Sequence, residues 1–185
     1  MKKLLHWCAT TLLVAGLAAS SLAQSSSGDQ KMQERITREV RHELVMIPQL
    51  TIFDNLAYKV DGDTVTLLGQ VRNPVLKDYA QSAVKRIEGV EHVNNQIEVL
   101  PLSPNDDRIR RQVARALFND PRLFYYSLGA LPPIHIIVKR GNVTLEGVVN
   151  NQTDKNTASI RANGVPGVFS VTNNLQVENA TESKK

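Results

Sequence analysis

Ile36, Val40 and Leu44 recur at four-residue spacing with Arg35, Arg38, Arg41 and Glu43 between them. That spacing predicts a helix with one apolar stripe and one charged face. Downstream the period changes to two. Leu56, Tyr58 and Val60 alternate with Ala57 and Lys59, then Val65, Leu67, Gly69 and Val71 alternate with Thr66, Leu68 and Gln70. Asp61-Gly62-Asp63 supplies a turn between the two runs, which therefore read as a hairpin. Asn73-Pro74 is an N-cap followed by proline at the first helical position, and Ala80, Val84 and Ile87 give that helix its apolar side. Gly89 ends it, and Ile97-Glu98-Val99 reads as a closing strand. Asp29 is the expected cap of the first helix, and Pro48 lies just past its end.

The order helix, strand, strand, helix, strand then occurs again. With a shift of 78 residues, Val65-Thr66-Leu67 falls on Val143-Thr144-Leu145, Gly69 on Gly147, Val71 on Val149, Asn73 on Asn151, Lys77 on Lys155 and Ala80 on Ala158. Gly89-Val90 falls on Gly167-Val168, Val93 on Val171, Asn95 on Asn173 and Val99 on Val177. Thirteen of the 35 positions from 65 to 99 are identical, where roughly two are expected by chance, so the chain contains an internal duplication. The first helices align with a shift of 73, pairing Ile36, Val40, Leu44, Pro48 and Leu50 with Ile109, Val113, Leu117, Pro121 and Leu123. The second copy thus carries five extra residues between its first helix and its hairpin. Its turn, Arg140-Gly141-Asn142, sets the glycine one residue closer to the following valine, which predicts two different turn types. Ser103 and Pro104 supply its helix start. The resulting fold class is α+β: two tandem αββαβ domains, each with two helices packed on one face of a three-stranded mixed sheet. The expected divisions are a leader at 1–23, a flexible segment at 24–28, a first domain at 29–100, a linker at 101–103, a second domain at 104–178 and a disordered tail at 179–185.

The string Val65-x-Leu67-x-Gly69-x-Val71, then Ala80, then Gly89-Val90-x-x-Val93-x-Asn95-x-Ile97-x-Val99 resembles the BON domain, and it recurs from Val143 to Val177. The resemblance covers nearly all of the chain after the leader and is similar to the osmotically inducible two-BON periplasmic proteins. It implies a binding module that engages phospholipid membranes or other envelope components, with no catalytic residues to carry over. The insertion and the aromatic run in the second copy depart from the usual pattern.

Composition narrows the chemistry. Lys2 and Lys3, an apolar stretch from Thr11 to Ala19, and Ser21-Leu22-Ala23 have the order of a secretory signal, with cleavage expected near Ala23 and a periplasmic or secreted product. Cys8 precedes the apolar segment and is expected to leave with the leader. The remaining 162 residues hold 20 Lys and Arg against 18 Asp and Glu, with no Cys and no Trp. A near-neutral chain of this kind offers no electrostatic argument for nucleic acid, no disulfide framework and no thiolate metal site. Its later apolar runs fall short of the ~20 residues of a membrane span.

Catalytic and metal motifs are not evident, and no catalytic residue, metal or cofactor is expected. His42, His92 and His135 have no companion ligand at a metal spacing, and Asp61 with Asp63 lacks the further ligands of a calcium loop. Gly69, Gly89, Gly147 and Gly167 read as structural, as do Asn95 and Asn173, whose side chains are expected to close the turn into the last strand. Two surfaces carry a functional reading. Phe118, Phe124, Tyr125 and Tyr126 crowd within nine residues of the second copy beside Arg122 and run into Leu128, Leu131 and Pro132-Pro133. They fit a membrane interface or a peptide-binding edge, or else the packing of a longer loop onto its own domain. The second surface is arginine-rich: Arg108, Arg110, Arg111 and Arg115 on one first helix, and Arg35, Arg38 and Arg41, diluted by Glu34, Glu39 and Glu43, on the other. Each such charge near an anionic bilayer contributes up to ~1 kcal/mol. The expected function is a non-catalytic periplasmic protein that attaches to anionic phospholipid surfaces in envelope or osmotic-stress protection. The alternative is an adaptor that holds an envelope protein by a sheet edge or the inserted loop.

Overall fold

The computed structural model describes residues 20–129 and 132–178, with side chains from Gly28 onward. Residues 1–19, which hold most of the expected leader, Ala130, Leu131 and the expected tail at 179–185 lie outside the described residues. The first unit contains α1 (Ser20–Val45), β1 (Asn55–Asp61), β2 (Thr64–Val71), α2 (Pro74–Lys85), β3 (His92–Asn95) and β4 (Glu98–Val99). The second contains α3 (Pro104–Phe118), a 3-10 turn (Phe124–Ser127), β5 (Ile134–Lys139), β6 (Asn142–Val149), α4 (Gln152–Asn163), β7 (Ser170–Asn173) and β8 (Gln176–Val177). The fold is therefore α+β, two tandem αββαβ units.

In each unit the middle strand is antiparallel to the strand before it and parallel to the last one. Helices cover one face. Ile36, Val40 and Leu44 of α1 meet Val65, Leu67 and Val71 of β2 and Leu76, Ala80 and Val84 of α2, and Ile109, Val113 and Leu117 meet Val143, Leu145 and Val149 in the second core. Ala80, Ala158 and Ala162 are fully enclosed, and their small side chains let the second helix lie close to its sheet.

Three expectations are corrected. Asp29 is not a cap, because α1 already runs from Ser20 and encloses it. The segment 24–28, expected as flexible, belongs to the same helix; it contains no proline, and Gly28 costs a helix interior only about 1 kcal/mol. The closing strand begins five residues earlier than Ile97 and is broken into two pieces. Asn95 explains the break: its Oδ1 accepts the Ile97 N–H at 3.2 Å while its Nδ2 donates to the Lys77 carbonyl at 3.0 Å. Asn173 does the same with Leu175 at 3.2 Å and Lys155 at 2.7 Å. One amide side chain thus ties the strand break to the neighbouring helix in both units.

The hairpins differ as expected. Gly62 alone of its two central residues has a positive φ, 61°, the type II′ pattern, whereas Arg140 and Gly141 have φ of 53° and 77°, the type I′ pattern. The carboxylate of Asp106, buried on α3, selects the second form by accepting the N–H groups of Arg140 and Gly141, both at 2.9 Å. At the matching place in the first unit Gln33 donates to the Val60 carbonyl at 3.0 Å.

The two units touch through named groups. The Ile52 carbonyl accepts the outward N–H of Ile136 on β5 at 2.7 Å, and Ile52 and Phe53 pack against the second core. Lys139 pairs with Glu98, and Arg72 pairs with Asp107 at 3.3 Å while lying over the Phe53 ring. Leu100 and Ile137 are buried, belong to neither core, and line one crevice between the units.

Gly69 and Gly147 sit mid-strand with φ of 110° and 117°, where a Cβ would stand 2.0 Å from the Asn55 carbonyl oxygen and 1.9 Å from that of Pro133. Gly69→Ala and Gly147→Ala are each expected to cost about 3 kcal/mol or more. Gly164, with φ of −76° and nothing closer than 3.7 Å, should accept alanine within about 0.5 kcal/mol. Urea unfolding of the three variants measures the contrast.

Candidate binding surface of the second domain

The helix α3 begins where the Ser103 hydroxyl accepts the Asp106 N–H at 3.2 Å and Pro104 fills the first turn. Its inward stripe of Ile109, Val113 and Leu117 fixes which arginines face water. Arg108, Arg111 and Arg115, three to four residues apart, share the exposed face, and Arg122 is exposed just beyond the helix. Arg111, Arg115 and Arg122 enter none of the ion pairs found among the described residues. Arg108 donates to Asn105 at 2.8 Å and Gln112 at 3.4 Å, neutral partners that leave its charge uncompensated.

Arg110 does not join them. It is 2% exposed, donating to the Asp107 carboxylate and to the Val138 carbonyl, each at 2.6 Å. A guanidinium in that place fastens α3 to β5, and its removal would leave polar groups unpaired in the interior. The sequence spacing contained the signal: Arg110 follows Ile109 and precedes Val113 by three, at the border of the apolar stripe.

The aromatic run is likewise divided. Tyr126 is 4% exposed and its hydroxyl donates to Asp154 Oδ2 at 2.7 Å while accepting the Asn150 N–H at 2.8 Å. Phe124 and Tyr125 are 54% and 68% exposed, Leu128 is 64% exposed, and Phe118 is half-buried against the second core. The turn ahead of the inserted residues therefore packs one ring inward and shows two outward, joining the two readings that the sequence left open. Desolvation, with the Asp154 carboxylate nearby, pushes the Tyr126 phenol up to about 12, against a bond from the Asn150 amide.

Sequence reasoning did not single out the groups that brace this surface. Asp120, buried between α3 and the turn, accepts the Arg122 N–H at 2.9 Å and the Arg161 Nε–H at 2.6 Å, and these bonds hold its carboxyl below the usual range. Arg161 and Arg115 rim a groove of about 580 Å³ between α3 and α4, whose lining includes Ala116, Ile160, Val165 and Pro166. The matching groove between α1 and α2, about 340 Å³, is lined by Glu39, Glu43 and Glu88 with His42 and Arg86. The two units thus offer opposite electrostatics at one place in the fold. Arg35 on α1 is already spoken for, 3.0 Å from Glu39.

His135 faces the junction between the units, where burial holds its imidazole below the usual range against the opposing pull of Asp54 and Glu146. Among the described residues no three His, Cys, Asp or Glu side chains gather as a metal site, and no helix is long and apolar enough to cross a membrane.

A family model for the BON domain matches residues 33–101 and again 105–179. The chain belongs to the BON-domain family. Both matches fall on the αββαβ units, so each unit is one BON domain. The chain is also similar to the outer membrane lipoprotein DolP of Haemophilus influenzae, 26% identical over 174 residues that make up 90% of this chain and 86% of the relative. Among solved structures, two of CdsD, a structural protein of the type III secretion system of Chlamydia trachomatis, align over 77% and 80% of this chain and 96% and 95% of theirs. Their identities are 13% and 14% and their TM-scores 0.27 and 0.28.

Removing the Tyr126 hydroxyl leaves the Asn150 amide without its acceptor, so Tyr126→Phe is expected to cost about 1–3 kcal/mol. The phenol is neutral in the folded protein, and its folded pKa lies above the unfolded value of 10. Its contribution is present below pH 10 and fades as pH rises toward 12. Wild-type stability should fall more steeply than that of Tyr126→Phe over that window, read by urea unfolding at a series of alkaline pH values.

Proposed function

We propose that this BON-domain protein is a non-catalytic periplasmic binding protein that attaches to anionic phospholipid surfaces of the cell envelope, in osmotic-stress protection. The observation that carries the reading is the exposed row Arg108, Arg111 and Arg115 on α3, extended by Arg122. Three uncompensated cations, with Arg122 partly offset by the Asp120 carboxylate, contribute up to ~1 kcal/mol each near an anionic bilayer, enough for reversible attachment that salt weakens. The similarity to an outer membrane lipoprotein supports an envelope location. The acidic groove of the first domain is unsuited to the same ligand, which leaves the second domain as the contact.

Charge, not the aromatic turn, is the basis of the reading. With Tyr126 inside the domain, only Phe124 and Tyr125 of the run remain outside. An adaptor that holds another envelope protein would compete through those residues.

Co-sedimentation with phosphatidylglycerol-containing vesicles tests the proposal. Arg111→Glu with Arg115→Glu should weaken low-salt binding at least about tenfold, since each unit of charge changes the energy by up to ~1 kcal/mol. Binding should also fall as salt rises and be absent on zwitterionic vesicles. Arg110 is unsuitable for this purpose, because its loss disturbs the fold. Unchanged binding by the double variant, or equal binding to both vesicle types, rejects the proposal.

A further inference from the structure

The internal repeat makes a comparison possible that a single domain does not. Four parts of the first domain form its docking end: the loop with Ile52 and Phe53, the end of β2, β4 and Leu100. That end is covered by the second domain. Carried across the repeat, Thr51 and Ile52 become Phe124 and Tyr125, and Gln70 becomes Val148. In the second domain the equivalent end is uncovered among the described residues, yet it is more apolar at 124 and 148, and Phe124, Tyr125, Leu128 and Val148 are all exposed. Water favours the opposite change, from apolar to polar, where a contact has been lost.

The intramolecular contact also says what such an end fits. It docks on the hairpin of the following domain, where the outward N–H of Ile136 is bonded and Ile137 on the outer face lies in one crevice with Leu100. In the first domain the hairpin position equivalent to Ile136 is Tyr58, paired with Leu67 as Ile136 is with Leu145. The alternation of an antiparallel ladder points its N–H outward, and it has no partner among the hydrogen bonds of the described residues. Beside it lies a groove of about 360 Å³ with Leu44, Leu50, Leu56 and Tyr58 along one side, Pro132, Pro133 and His135 of the second domain opposite, and Arg41 at its rim. The ion pairs Lys139–Glu98 and Arg72–Asp107 have no counterpart, their places being taken by Asp61, Gln176, Glu34 and Asn150, and a different pair of charges is offered instead. The positions of Leu100 and Ile137 are taken by Glu178 and Lys59, an acidic and a basic side chain, both exposed.

We infer that a second copy of this chain covers the exposed end: Phe124, Tyr125 and Leu128 of one molecule dock along β1 of the next, with Glu178 facing Lys59. The contact is head-to-tail, so it propagates into short chains or closes into a ring. It uses neither Arg111 nor Arg115 and requires no lipid, so its failure and that of the membrane reading are separate results.

Sedimentation velocity of the chain without its leader, over a wide range of concentration and without lipid, gives the test. The mean mass should rise above the monomer with concentration. Tyr125→Ser with Leu128→Ser should abolish the rise. Lys59→Glu and Glu178→Lys should each weaken association by about tenfold, as attraction becomes repulsion, and the two together in one chain should restore it. Both are surface positions, and circular dichroism confirms that each variant folds. A monomer at every concentration overturns the inference. So does assembly indifferent to Tyr125 and Leu128, or charge reversals whose losses add instead of cancelling.

Discussion

A three-stranded sheet has two faces, and two helices cover only one of them. That shortage governs this molecule. Each BON domain builds a complete core on its helical side, from Ile36, Leu67 and Ala80 in the first and Ile109, Leu145 and Ala158 in the second. The outer face and the strand ends are left over. The first domain resolves part of the shortage by setting Leu100 into a crevice shared with Ile137 and pressing Ile52 and Phe53 onto the second core. At the corresponding end of the second domain Phe124, Tyr125, Leu128 and Val148 are exposed.

Duplication preserved the backbone problems and changed the side chains that solve them. The amide that follows the central strand needs an acceptor in both domains. In the first it is Arg72 N–H, bound by the buried Asp54 carboxylate at 2.7 Å; in the second it is Asn150 N–H, bound by the Tyr126 hydroxyl at 2.8 Å. Likewise Gln33 donates to one hairpin and Asp106 accepts from the other, and the turn geometry follows the partner. The carboxylate is not lost but moved: the Tyr126 hydroxyl that accepts the amide donates in turn to the buried Asp154, at the position where the first domain carries Leu76. Tyr126 thus has a structural use inside the domain, while its neighbours Phe124 and Tyr125 face outward.

The fold was legible because it rests on periodicity and on repeats of small residues. Two alternating runs around a turn, alanines where a helix must approach, and glycines at fixed places all occur twice. Gly69 and Gly147 could be paired by sequence alone, and the close approach to a carbonyl explains them. Even the difference between the two hairpins followed from the position of one glycine. What was not legible depended on distance across the fold. Arg110 looks like its neighbours in sequence, yet the edge of an apolar stripe carries it inside to Val138. Tyr125 and Tyr126 are adjacent and chemically alike, but a 3-10 turn sends one outward and the other to Asp154. Asp106, Asp120 and Arg161 bind partners 34 to 41 residues away, beyond any local pattern.

The electrostatics of the two helical grooves bear on how the parts act together. One fold position carries Glu43 and Glu88 beside the paired Glu39 in the first domain, and Arg115 beside the Asp120-paired Arg161 in the second. A single cationic face of four arginines holds a molecule at a membrane only transiently, because each charge contributes so little and salt screens it. Joining molecules through a separate surface multiplies that weak attachment, since the second contact forms at high effective concentration once the first is made. For such a device to work, the contact between copies must not consume the arginines. In the proposed arrangement Lys59 and Glu178, neither of them on α3, meet that condition, and the second domain is the side proposed to approach the membrane.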